Sequence, residues 1–217
     1  MTDLINALLV VILVLNLFAL GTSRIQSVIR IVAVQGALLG LVTLLMHERW
    51  TVPVVLSAVA AVLIKAIVIP AVMVRSLRAA EIKREVEPFI GFLPSIILGA
   101  VATAAALLFT RALAPVAGSA AAATPTLIIP ASIATVLVGF IILISRFKAI
   151  SQVLGYLVLE NGIYIFGMLL IEAIPLVVEM GMLLDLFVGV FVISIITNHI
   201  NQAFSSMDTR RLVSLKE

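Results

Sequence analysis

Glu160 and Asp185 are carboxylates set in the middle of two long apolar runs, 150–171 and 175–196. An ionisable group near the centre of a membrane helix costs roughly 2.5–3.5 kcal/mol even on the lenient insertion scale. Acids kept at matching depth in consecutive helices point to proton or ion handling, with helix-to-helix glue as the structural alternative. A low-dielectric surrounding penalises the charged carboxylate, and a neighbouring cation favours it. A buried acid balanced between the two can change its proton occupancy with small changes around it.

The residues near these acids fill in the candidate site. Asn161 follows Glu160 and can hydrogen-bond across a helix pair. Tyr156 stands four residues before Glu160, on the same helix face, either packing there or bonding the carboxyl through its hydroxyl. Gly155, Gly162 and Gly167 permit close helix approach. Lys65 lies inside another apolar run, as relay, as counter-ion, or as a side chain snorkelling to the interface. Glu179 lies about one turn into the last apolar run, and its offset of six from Asp185 puts the two on different faces.

The surrounding chain decides the class. Of 217 residues, 63% are hydrophobic and 12% are charged, against roughly 45–50% and 25% in a soluble domain. The expected fold class is therefore all-α, a polytopic membrane helix bundle. Cysteine is absent, which leaves no disulfide, thiolate metal site or iron–sulfur cluster. His47 and His199 form no ligand pattern. No P-loop, dinucleotide fingerprint or nucleophile–base arrangement occurs, so the chain is expected to bind no cofactor or metal and to catalyse no covalent reaction by itself. The net charge of +3 does not imply nucleic acid, because the basic residues are distributed as in a membrane protein. No cleaved leader is expected: the start lacks a basic region, and its first apolar run is long enough to span.

Seven apolar runs predict seven transmembrane helices, at 4–20, 25–46, 52–74, 89–109, 126–144, 150–171 and 175–196. With the N-terminus out and the C-terminus in, eleven basic residues (Arg24, Arg30, Arg75, Arg78, Lys83, Arg84, Arg146, Lys148, Arg210, Arg211 and Lys216) fall inside, and only Arg49 and Arg111 outside. This matches the positive-inside rule and predicts a multi-pass membrane protein with a cytoplasmic C-terminus. At about 1.5 Å per residue, Glu160 and Asp185 then lie roughly 15 Å from opposite faces, both at the midplane.

Three parts follow: a three-helix unit at 1–74, a loop, connecting helix and outer linker at 75–125, and a second three-helix unit with a tail at 126–217. The two units read as weakly similar versions of one arrangement. Ser23-Arg24 and Ser145-Arg146 open corresponding helices, Gln35-Gly36 stands near the place of Glu160-Asn161-Gly162, and Lys65 answers Asp185. No gapless register aligns all of these. The segment 75–88 mixes four bases with three acids and reads as a short surface helix, and 112–125 reads as a linker.

The segment Gly155-Tyr-Leu-Val-Leu-Glu160-Asn-Gly-Ile-Tyr resembles the second helix of the NuoK-type small subunit of respiratory complex I. The last three helices are similar to its whole fold, with Glu160 and Asp185 at its two membrane acids; aspartate stands here for a glutamate. The chain resembles hydrogenase-4 component E more closely still, through Leu159-Glu-Asn-Gly-Ile, Pro175-Leu-Val-Val-Glu179-Met-Gly, Leu184-Asp-Leu-Phe-Val-Gly189 and Phe204-Ser-Ser-Met-Asp208-Thr. The resemblance covers essentially the whole chain, with its specific motifs confined to 150–217. It implies a non-catalytic membrane-arm subunit of a complex I-like hydrogenase or formate hydrogenlyase assembly. Antiporter-like subunits would be its partners, and its acids would belong to a lateral proton path. The alternatives are the small subunit of a multi-component cation/proton antiporter and a structural spacer.

The charge asymmetry makes a direct prediction. A reporter fused after Glu217 should be cytoplasmic and one inserted near Gly118 external, and both reporters on one side would break the seven-helix arrangement.

Overall fold

The computed structural model describes residues 1–46, 52–79, 90–117 and 127–170, and every element among them is a helix. In chain order these are α1 (Thr2–Gly21), α2 (Ile25–Met46), α3 (Val52–Ala61), a π-helical segment (Val62–Val68), α4 (Ile69–Ala79), α5 (Phe92–Ala117), α6 (Ile128–Ser145), α7 (Ala149–Gly167) and a 3-10 turn (Met168–Leu170). Five stretches are long and apolar enough to cross a membrane: Thr2–Gly21, Ile25–Met46, Ala58–Arg75, Phe92–Ala112 and Ile128–Ser145. Among the described residues the chain is thus all-helical, with apolar helices of membrane-spanning length. The sixth apolar run forms a helix, α7, but Gln152, Glu160 and Asn161 on it lower its apolarity, and it is not among the five. The expected seventh span, with Asp185 and Glu179, lies outside the described residues.

Both ends of the connecting helix depart from the sequence reading, and α4 carries the third span on to Ala79, past the expected end at 74. The connecting helix starts at Phe92 rather than 89, because Gly91 takes a left-handed φ of 73°, a conformation that a Cβ disfavours. Ser95 locks this start by donating its hydroxyl to the Gly91 carbonyl at 2.6 Å. The same helix runs on to Ala117, through residues expected to form a linker; the alanines there favour helix strongly enough to continue it. The third span is one continuous helical stretch with a widened middle. Pro70 has no N–H to offer the carbonyl four residues back, and its ring crowds that carbonyl. The π turns just before it, at Val62–Val68, absorb the mismatch.

Contact registers give the helix directions. Gly139 faces Leu159, Gly155 faces Leu143 and Gly162 faces Val136, so α6 and α7 run antiparallel. A Cβ on Gly155 or Gly162 would meet the backbone nitrogen of Leu143 or Val136 at 2.6 Å, and Gly139 abuts the Leu159 backbone more closely still. This is the small-residue packing that brings membrane helices backbone to backbone. Gly167, expected to act likewise, meets no described residue within 4 Å. On α2, Gly36 and Gly40 seat the widened helix: a Cβ at Gly36 would lie 2.7 Å from Lys65 Cβ, and one at Gly40 would strike Val62. These pairs run antiparallel. Asn6 with Leu127 and Asn16 with Thr135 show α1 and α6 running parallel.

The core is stratified. One apolar cluster contains Leu20, Ile25, Ile29, Met73, Leu77, Ile142 and Leu154. A second, toward the other end, contains Leu9, Ile12, Leu39, Val42, Ile128 and Ile165. Between them, on every helix involved, lies a buried polar residue: Asn16, Gln35, Lys65, Thr135, Glu160 and Asn161. At the first cluster's end, Arg146 donates to the Leu20 carbonyl at 2.8 Å, one of the orphan acceptors that close α1. Its guanidinium also stacks 4.9 Å from the Phe92 ring centre, tying α1 and α5 to the α6–α7 turn.

Backbone contact leaves no space at the glycines. Gly139→Leu and Gly36→Leu should each destabilise the fold by about 1–3 kcal/mol or more, seen as lower melting temperatures in detergent. Ile144→Leu, on an exposed position, should leave the melting temperature unchanged.

Candidate functional site

Lys65 and Glu160 form a buried ion pair. Lys65 Nζ lies 2.9 Å from Glu160 Oε1, and each side chain is only 6% exposed. Lys65 therefore does not snorkel to an interface; its ammonium stays in the polar layer. The ring of Tyr164, one turn beyond Glu160, adds a second contact, its centre 4.9 Å from Nζ. A cation is attracted to the negative face of an aromatic ring, more strongly where water is excluded. Two features bring the lysine here. The π turns set the rotation of residue 65 on its helix, and Gly36 lets that backbone close onto α2.

Beside the pair runs a chain of buried amides across four helices. Asn161 Nδ2 donates to Gln35 Oε1 at 3.3 Å, Gln35 Nε2 to Asn16 Oδ1 at 2.8 Å, and Asn16 Nδ2 to Thr135 Oγ1 at 2.8 Å. Each amide gives its N–H to the next residue, so the bonds share one direction and reinforce one another. Toward the second apolar cluster, the Tyr164 hydroxyl lies 3.0 Å from Thr43 Oγ1, and Thr43 donates to the Leu39 carbonyl at 2.9 Å.

Of the candidates read from sequence, the structure brings together Glu160, Lys65 and Asn161. Tyr156 is half-buried one turn to the other side of Glu160, and it is Tyr164 whose ring meets the ammonium. Asp185 and Glu179 lie outside the described residues. Sequence reasoning missed Asn16, Thr135, Thr43 and Tyr164. The usable signal was position: Asn16 and Thr135 each lie well inside an apolar helix, and Tyr164 shares the Glu160 face at a spacing of four. No group of three or more metal-ligating side chains occurs among the described residues.

The chain is 31% identical over 195 residues to the uncharacterized protein Rv0085 of Mycobacterium tuberculosis, covering 89% of this chain and 87% of that one. The two belong to one family. No family model matches the chain, and no solved structure matches it significantly.

Chemically, the arrangement is a charge-neutral acid–base pair in an apolar bundle, with buried amides in the same layer and hydroxyls toward the second cluster. Removing one partner strands the other charge, which typically costs about 3–5 kcal/mol, whereas replacing both with apolar residues is often neutral. Lys65→Met and Glu160→Met should each destabilise by that order, and the double variant should recover most of the loss. A double-mutant cycle of melting temperatures measures the coupling.

Proposed function

We propose that this chain is a membrane-arm subunit of a complex I-like, hydrogenase-type assembly, in which the Lys65–Glu160 pair belongs to a lateral proton path. Electron transfer would take place in other subunits, and antiporter-like membrane subunits are the expected partners. The observation that carries the reading is the ion pair. A carboxylate and an ammonium held 2.9 Å apart in an apolar interior can exchange a proton without creating net charge, so a charge arriving nearby shifts the proton between them at little cost. The resemblance of the Glu160 segment and of the 175–208 motifs to the hydrogenase-4 and NuoK-type subunits supplies the assembly. The expected location is a prokaryotic cytoplasmic membrane.

The amide chain favours a second reading, a spacer whose polar contacts serve only to hold helices. The two separate on Glu160→Gln, which keeps the shape and hydrogen bonding of the side chain and removes its titratable proton. In vesicles carrying the assembled complex, protons moved per electron, normalised to the assembled subunit by blotting, should fall several-fold, even where the stranded Lys65 charge lowers the subunit level. Normal pumping in that variant would sink the proton path. Loss of the assembled complex in this variant, with assembly and normal pumping both restored in the Lys65→Met/Glu160→Met double variant, would favour the spacer.

A further inference from the structure

Near the ion pair the bundle holds two sets of side-chain hydrogen bonds, and they differ in chemistry. The amide chain through Asn161, Gln35, Asn16 and Thr135 is built mostly of carboxamides. Such groups neither take up nor release a proton at ordinary acidity, so they can hold helices but make a poor conductor. The other set consists of hydroxyls. The Tyr164 hydroxyl lies 3.0 Å from Thr43 Oγ1, and a hydroxyl both donates and accepts, so a proton can enter on one lone pair while another leaves.

Its placement matters as much as its chemistry. Tyr164 is one turn along α7 from Glu160, and its ring already lies against Lys65 Nζ. Thr43 stands three residues before the end of α2 at Met46, roughly 4.5 Å of helix rise from that end. The pairs Gln35–Asn161 and Thr43–Tyr164 show α2 and α7 running parallel, so the hydroxyls lie beyond the polar layer toward one end of the bundle. They pass beside the second apolar cluster, whose Leu39, Val42 and Ile165 offer no polar route. This end is opposite the one that carries Arg24, Arg146 and Lys148.

We infer that the Tyr164–Thr43 hydroxyl pair is the leg by which protons pass between the Lys65–Glu160 pair and the end of the bundle where α2 terminates. The inference rests on the proton reading proposed above. In one transfer, a bridging water between Lys65 and the phenol gives a proton to the Tyr164 oxygen and takes one from the ammonium, and the amine so formed regains a proton from the lateral path on the far side of the pair. The Tyr164 O–H bond breaks as its own proton moves to Thr43 Oγ1, and Thr43 releases its proton beyond, turning away from the Leu39 carbonyl. Each hydroxyl gains one proton and loses one, so one proton moves and both groups return to their starting state. The reverse direction uses the same steps.

The test uses Tyr164→Phe, Thr43→Val and their double variant in membranes carrying the assembled complex, with Thr43→Ser as rescue and Glu160→Gln alongside. Phenylalanine keeps the ring beside Lys65, and valine keeps the threonine shape. Each single variant should slow proton transfer several-fold at normal subunit levels. The double variant should be no slower than the slower single, because both break one series path, and Thr43→Ser should restore the rate. Full rates in Tyr164→Phe and Thr43→Val, multiplied losses in the double, or no rescue by serine would overturn the inference. Should Tyr164→Phe fail to assemble, the contrast between Thr43→Val and Thr43→Ser decides alone. An impaired Glu160→Gln beside unimpaired hydroxyl variants rejects this leg only; a fully active Glu160→Gln rejects the proton reading itself.

Discussion

An ammonium and a carboxylate enclosed by aliphatic side chains have to find each other, and much of this bundle is arranged so that they do. Lys65 and Glu160 are 95 residues apart in sequence and come from helices with no direct connection. Taking either ion out of water alone costs several kcal/mol, and only close geometry repays it. The small residues supply that closeness. Gly36 and Gly40 admit the widened helix onto α2, while Gly139, Gly155 and Gly162 press α7 onto α6. Both charges are thereby delivered to the same level between two apolar clusters.

The amide chain answers a different need. Between helices in lipid there is little hydrophobic driving force, because lipid tails are as apolar as leucine. Apolar surfaces pack in many rotations with similar energy, so the two clusters alone would tolerate slippage. Directional bonds from Asn16 to Thr135 and from Gln35 to Asn16 and Asn161 pin α1, α2, α6 and α7 in rotation and in height. A shift of one residue on any of these helices would bury an unsatisfied amide, which costs about 1–3 kcal/mol. Register and neutralised charge are thus set in the same thin layer.

Much of this was legible in the sequence, for stateable reasons. Long apolar runs mark membrane helices because length and apolarity are properties of the run itself, and the described helices fall close to the expected positions. Glu160, Lys65 and Asn161 stood out because charged and amide groups are costly at such depth. What could not be read was who meets whom. The repeat-like reading made Lys65 the counterpart of Asp185 in the other unit and left its partner open; the described partner is Glu160. That choice depends on how the π turns rotate residue 65, a local irregularity tied to Pro70 that no periodicity announces. Asn16, Thr135, Thr43 and Tyr164 were overlooked because a lone polar residue on an apolar helix resembles an incidental one until its partner on another helix is known.

The 95-residue separation of the ion pair also orders events during synthesis. A ribosome adds about 5–20 residues per second, so Lys65 emerges on the order of 5–20 s before Glu160. The helix bearing the lysine therefore enters the bilayer as a cation without its anion. During that interval its four-carbon stem can reach toward water or shelter beside Gln35, which is already made. The helices up to Lys65 thus wait until α7 supplies the carboxylate that the buried ammonium meets.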